Sequence, residues 1–246
     1  MKYEQKIPLE IKYIRMICEA IPNAYFLHKQ HIDENNFPTI NGKELYIWNY
    51  MNKNISDVLP TDKFQVVVMK RGSWGFIGIY DKEEKYLYTL MREKNLTNLQ
   101  KNISENLIHY LNVLSKLNDP LKQKYEPIAH QVSLFGDELY TDETDEKLGD
   151  ILCDLISKVD GEIDRYVLIA FDSDGVGNIK DIKGIIPAKG LDIYKEESWI
   201  EYVSQGYDIT DIVASEYIQA ENEILLQRQP NLKRKIKHLD KEKINE

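Results

Sequence analysis

Three short apolar runs separated by two tight turns limit what this chain can fold into more than any other stretch. They occupy residues 64–91, FQVVVMKRGSWGFIGIYDKEEKYLYTLM. Phe64, Val66, Val68 and Lys70 alternate with Gln65, Val67, Met69 and Arg71, the period of a strand, and both faces stay largely apolar until the end. Gly72-Ser73 suits a two-residue hairpin turn with positive φ at its first position. Trp74, Phe76, Ile77 and Ile79 make a second strand, in which Gly75 and Gly78 permit close backbone approach. Asp81, Lys82, Glu83 and Glu84 turn the chain again. Tyr86, Tyr88 and Leu90 then alternate with Leu87, Thr89 and Met91. Such a meander needs helices against its apolar faces.

The flanking segments supply them. Leu9, Ile11, Ile14, Cys18 and Ile21 recur at helical spacing, and Pro22 is expected to end that helix. A second helical piece covers residues 24–32, and a third runs from Lys43 to Leu59, stopped by Pro60. Its aromatics, Tyr46, Trp48 and Tyr50, read as core or interface, because a base-stacking platform wants exposed rings beside a basic groove. From Leu96 to Leu117 the period lengthens to a long amphipathic helix, ended by Asn118-Asp119-Pro120. Residues 119–141 form a linker. Thr141 or Asp142 caps the next helix, whose buried face is Leu148, Ile151, Leu152, Leu155, Ile156 and Val159. RYVLIAF (165–171) is a fourth strand and residues 179–186 a fifth; beyond Gly190 the chain is expected to be helical into a basic tail at 228–246. The expectation is an α+β protein, one domain over 1–246, with a small, mostly antiparallel sheet of about five strands covered by helices.

Charge is segregated. The net charge is −9, yet residues 126–164 hold twelve acidic residues against Lys147 and Lys158, while residues 228–246 hold seven basic against three acidic. An acidic chain is a poor general binder of nucleic acid, since phosphate neutralisation needs a basic surface; direct nucleic-acid binding is left to the tail. No apolar run reaches the roughly 18 residues of a membrane span, and the charged N-terminus lacks a signal-peptide core. Cys18 and Cys153, both on apolar helix faces, read as reduced, buried thiols of a cytoplasmic protein.

Two motifs carry functional expectations. Gln131, Val132, Ser133, Leu134 and Phe135 resemble the pentapeptide by which bacterial replication and repair proteins dock on the DNA sliding clamp. The resemblance implies polar contacts from Gln131 and Ser133, with Leu134 and Phe135 filling an apolar pocket; Val132 stands where leucine is usual. The bland alternative is that Leu134 and Phe135 pin a loop onto their own domain. Asp172 and Asp174, in DSDGVG directly after a buried strand, carry the spacing of paired carboxylates on Mg2+. This resembles the second acidic motif of Toprim domains, but no earlier strand ends in the glutamate those domains need, and the following segment reads as a strand. A hairpin with Asp174-Gly175 in its turn is the favoured reading. His28 and His31, with Glu34 a turn on, lack a further zinc ligand nearby. Lys70-Arg71 at the hairpin tip, with Trp74 behind, is a candidate to meet a phosphate, though charged tips are commonly just solvated.

The segments GSWGFIGIYD, YTLMREK and LIAFDSDG, in that order, resemble an uncharacterised family of unknown function with members in Gram-positive bacteria and their mobile elements. The resemblance runs over residues 64–212 and implies a bacterial origin, not a mechanism. The expected function is a non-enzymatic accessory or regulatory protein acting through protein–protein contacts in bacterial or prophage DNA metabolism or defence, with the sliding clamp as partner and no cofactor. The alternatives are a Mg2+-dependent nucleic-acid enzyme using Asp172 and Asp174, and an acidic antitoxin or inhibitor.

Overall fold

The computed structural model describes residues 1–37, 39, 41–128 and 140–203. At its centre lies one sheet of six strands among the described residues: β1 (Phe64–Arg71), β2 (Trp74–Asp81), β3 (Tyr86–Arg92), β4 (Arg165–Ser173), β5 (Ile179–Pro187) and β6 (Ile193–Ser198). Their spatial order is their sequence order. Neighbours are antiparallel except β3 and β4, which run parallel. Two three-stranded meanders therefore meet at a parallel seam. A parallel pair needs a crossover of a dozen or more residues. Residues 93–164 provide it, with α3 (Glu93–Lys101), α4 (Tyr110–Ser115) and α5 (Asp142–Ile156). Two further helices, α1 (Ile11–Asn35) and α2 (Lys43–Val58), precede the sheet. Helices and a mostly antiparallel open sheet make this an α+β protein.

The strand alternation seen in the sequence sends side chains to two cores. On one face, Ile14, Ile17 and Ile21 of α1 and Ile47, Met51 and Ile55 of α2 are buried with Ile79, Tyr88, Val167, Ile169 and Phe171. On the other, Leu96, Tyr110, Leu111, Leu114, Leu148 and Leu155 are buried with Met69, Phe76, Leu87 and Leu168. The Gly72 turn forms as expected, with φ +59° between the paired residues Arg71 and Trp74. Thr141 caps α5 by accepting from Thr144 N at 3.2 Å.

Four expectations are corrected. Pro22 does not end the first helix, because α1 continues through it to Asn35. The proline costs roughly 3 kcal/mol in a helix interior. Burial of Ile14, Ile17 and Ile21 before it and Ala24 and Tyr25 after it outweighs that, at about 1.5–3 kcal/mol for each large side chain. The long helix from Leu96 to Leu117 is instead broken into α3, a 3-10 turn at Ile103–Glu105, and α4. Asparagines compete with its backbone: Asn102 Nδ2 donates to Asn98 O and Asn106 Nδ2 to Asn102 O. Residues after Gly190 form β6 before any helix. Its outward Glu196 and Ser198 hide the alternation, and a short charged strand is how a sheet edge is protected. Cys18 is buried, but Cys153 is exposed; both thiols are free.

Candidate functional site

The ladder between β2 and β3 is short. It runs over Ile79↔Tyr88, Tyr80↔Leu87 and Asp81↔Tyr86 only. β2 stays paired with β1 as far as Trp74, and β3 stays paired with β4 as far as Arg92. The two strands thus part beyond Ile79, and the sheet opens toward the Gly72 turn. Gly78 lies at the fork, where an added Cβ would stand 2.5 Å from Met69 Cε and 3.2 Å from Leu87 Cδ1.

The opening is a cleft of about 530 Å³, within the range of small-molecule sites. Trp74 and Phe76 border it from β2, Leu90 and Met91 from β3, Leu99 from α3 and Tyr110 from α4, while Trp48 of α2 reaches it from the opposite face of the sheet. Phe76 and Tyr110 stack with centroids 4.2 Å apart. Trp48 meets Trp74 edge-on at 6.1 Å and Phe171 at 5.9 Å. Arg71, Asn95, Asn98 and His109 complete the lining with polar groups.

Two of these are fixed by the backbone around them. Arg71 Nε donates to Ile108 O at 3.2 Å, tying the hairpin tip to the start of α4. His109 caps α4, its Nδ1 accepting from Leu111 N at 3.2 Å. Burial, and secondarily the Arg71 guanidinium, push the His109 pKa down to about 4. The ring is therefore neutral at physiological pH, with its proton on Nε2.

A second polar cluster stands at the carboxyl ends of the parallel pair. Arg92 Nη2 donates to Tyr25 OH at 2.9 Å and pairs with Glu44 at 2.6 Å, and Tyr25 OH lies 3.0 Å from Ser173 Oγ. These contacts fasten α1 and α2 to the end of the seam. Arg92 Nε is buried without a partner among the described residues.

The residues expected from the sequence are placed as follows. Gln131, Ser133, Leu134 and Phe135 lie outside the described residues. Both flanks are anchored: Ile128 bridges to Ile193, and Tyr140 OH donates to Asn112 Oδ1 at 3.2 Å. Asp174 organises the β4–β5 turn. Its Oδ1 accepts from Val176 N at 3.0 Å and Asn178 N at 2.9 Å, and its Oδ2 accepts from Asn178 Nδ2 at 2.8 Å. The Asn178 amide first, then the backbone N–H groups, hold its carboxyl below the usual range. Asp172 is exposed and stands opposite Asp181. Among the described residues no three His, Cys, Asp or Glu side chains gather as a metal site. His28 is buried with Nε2 unpartnered, while His31 packs beside Phe37, Tyr46 and Tyr50. Glu34 accepts from Gln30 at 2.8 Å.

Of the cleft, sequence reasoning singled out only Arg71 and Trp74, through the hairpin tip. Trp48, Phe76, His109 and Tyr110 read as core or as isolated positions, and no local pattern marks where a ladder stops.

Fold and cleft together define an α+β protein with an open mixed sheet, parted on one side of its parallel seam by a ligand-sized, aromatic-lined opening. The chain belongs to a family of unknown function, DUF5986, whose model matches residues 6–246. Comparison with curated proteins and with solved structures finds no match. No helix among the described residues is long and apolar enough to cross a membrane.

Proposed function

We propose that this is a non-enzymatic accessory or regulatory protein that works by recognition, and that the cleft between β2 and β3 is its ligand-binding site. The parting of two strands around four aromatic rings carries the reading. A well-formed, mostly apolar concavity with a few convergent polar groups is the usual form of a small-molecule site. The side chains nearest to acid–base chemistry have structural employment: His109 Nδ1 caps a helix, and both oxygens of Asp174 hold a turn. A Mg2+-dependent reaction through Asp172 and Asp174 is the weaker reading for that reason. The free thiols of Cys18 and Cys153 favour a reducing, cytoplasmic setting.

Ligand-observed NMR against mixtures of small aromatic compounds, followed by tryptophan-fluorescence titration of the hits, tests this function. Binding is expected in the wild type and at least about tenfold weaker in Trp74→Leu, which removes an aromatic face from the site. Hits that bind Trp74→Leu and Tyr110→Leu as well as wild type would move the site elsewhere.

The protein–protein role in bacterial or prophage DNA metabolism or defence rests on the pentapeptide at 131–135. Its support from the described chain is that it lies between two anchored flanks, Ile128 and Tyr140. Calorimetric titration with a bacterial sliding clamp is the test. Binding is expected to vanish in Phe135→Ala, and undiminished binding by that variant would remove the clamp from the reading.

A further inference from the structure

The charge of the cleft is one-sided. Among the described residues, Arg71 is the only ionised side chain lining it, because His109 is neutral and no described carboxylate borders the opening. The contrast with Arg92 is instructive. Arg92, at the end of β3, is matched by the Glu44 carboxylate and the Tyr25 hydroxyl. Arg71, at the end of β1, has its Nε held by Ile108 O and, among the described residues, no carboxylate within 4.0 Å of its guanidinium. It also borders a smaller hollow with Lys70, Asp150 and Asp154 of α5, and neither aspartate pairs with it. An oriented guanidinium whose Nη groups have no partner among the described residues, in a protein of net charge −9, is a specific positive point in a negative field.

Around that point the chemistry is flat and donating. Trp48, Trp74, Phe76 and Tyr110 present rings, Asn95 and Asn98 present amides, and His109 presents Nε2–H. Rings take planar ligands by stacking or edge contact. A guanidinium takes carboxylate or phosphate through two parallel N–H···O bonds.

We infer that the cleft binds a planar aromatic or heteroaromatic ring carrying one oxyanion, with the ring among Trp48, Trp74, Phe76 and Tyr110 and the oxyanion on the Nη groups of Arg71. This rests on the cleft being the ligand site and adds the class of ligand. The anion has two chemical sources, an aromatic carboxylic acid and a nucleoside monophosphate. Both supply a planar ring and an oxygen pair matched to the arginine fork.

Calorimetric titration with matched probes tests the inference: indoleacetate against indoleacetamide, and adenosine monophosphate against adenosine, with tryptamine as the cationic control. In at least one pair the anion is expected to bind about tenfold or more tighter than its neutral partner, as charge-assisted bonds require; which pair responds identifies the source. Tryptamine is expected to bind no better than indoleacetamide. Arg71→Gln is expected to abolish the preference for the anion, so that the anionic and neutral probes bind within about twofold of each other. Its melting temperature, compared with wild type, separates loss of a contact from loss of the fold. Equal binding of anionic and neutral probes, or tightest binding of tryptamine, overturns the anion assignment and leaves the cleft as a site. Absence of binding by every probe and every aromatic mixture overturns both.

Discussion

The two meanders of the sheet have the same strand count and opposite treatments of a gap. In the second, β4, β5 and β6 stay laddered, and the close approach at Gly184 is filled by the chain itself. A Cβ there would stand 2.4 Å from Trp199 Cζ2 and 2.8 Å from Ile7 Cδ1, so an indole and an isoleucine lie directly on the strand. Trp199 is only 1% exposed. In the first meander, β2 and β3 separate, and the rings that gather there border an opening instead of plugging one. One half of the sheet packs an indole onto its strand, whereas in the other the rings border the opening proposed above as a ligand site.

The sharpest way to break this comparison is to remove one tryptophan from each half. Trp199→Ala is expected to cost about 3–5 kcal/mol, the range for deleting a buried aromatic, whereas Trp74→Ala, at a partly exposed ring, is expected to cost about 1 kcal/mol. Urea denaturation measures both. Equal losses would make the cleft rings structural. A smaller effect is expected at the turn between β1 and β2. Gly72 has φ +59°, where a Cβ is strained by about 1 kcal/mol, so Gly72→Ala lowers stability by that amount and loosens the pairing of Arg71 with Trp74. An unchanged denaturation midpoint would show that the tip does not hold its turn in solution.

The last prediction concerns pH. His109 binds its proton less readily when folded, with a pKa of about 4 against about 6.5 unfolded. Between those values the unfolded chain holds more protons, so stability rises with pH there. This contribution is fully present above pH of about 6.5 and falls away as pH drops toward about 4. Melting temperatures of wild type and His109→Asn should lie closest near pH of about 6.5, since asparagine can still cap α4, and separate toward the acid end, where only the wild type loses this contribution. Parallel curves would mean that the imidazole is not shielded as the structure shows.

How much of this was legible depends on how local the physics is. The meander at 64–91, the stop of α2 before Pro60, the Thr141 cap and the strand beginning at Arg165 follow from neighbours in sequence: alternation, turn residues and capping oxygens. Pro22 misleads because its cost is local while the burial that offsets it comes from a sheet more than forty residues downstream. The asparagines between Asn98 and Asn112 mislead because apolar spacing persists through a backbone that their side chains have taken over. β6 was hidden by its own edge charges. Arg71 and Trp74 were visible as a tip, but a cleft exists only where one ladder ends and its neighbours continue, and no residue type encodes that alone. The acidic pair after β4 was legible as a turn, and Asp174 fills that role.

The covering of the last strand has a consequence for the order in which the protein is made. Ile7 N donates to Glu197 Oε2 at 3.2 Å across a sequence separation of 190 residues, and Lys195 Nζ reaches Glu4 O. The β1–β2 ladder, by contrast, joins residues close in sequence. At about 5–20 residues per second, Ile7 waits on the order of 10–40 s for Glu197 to be synthesised. Ile7, which lies against Gly184 and whose N–H meets Glu197, is therefore covered late, and the segment around it is fixed only once β5 and β6 exist.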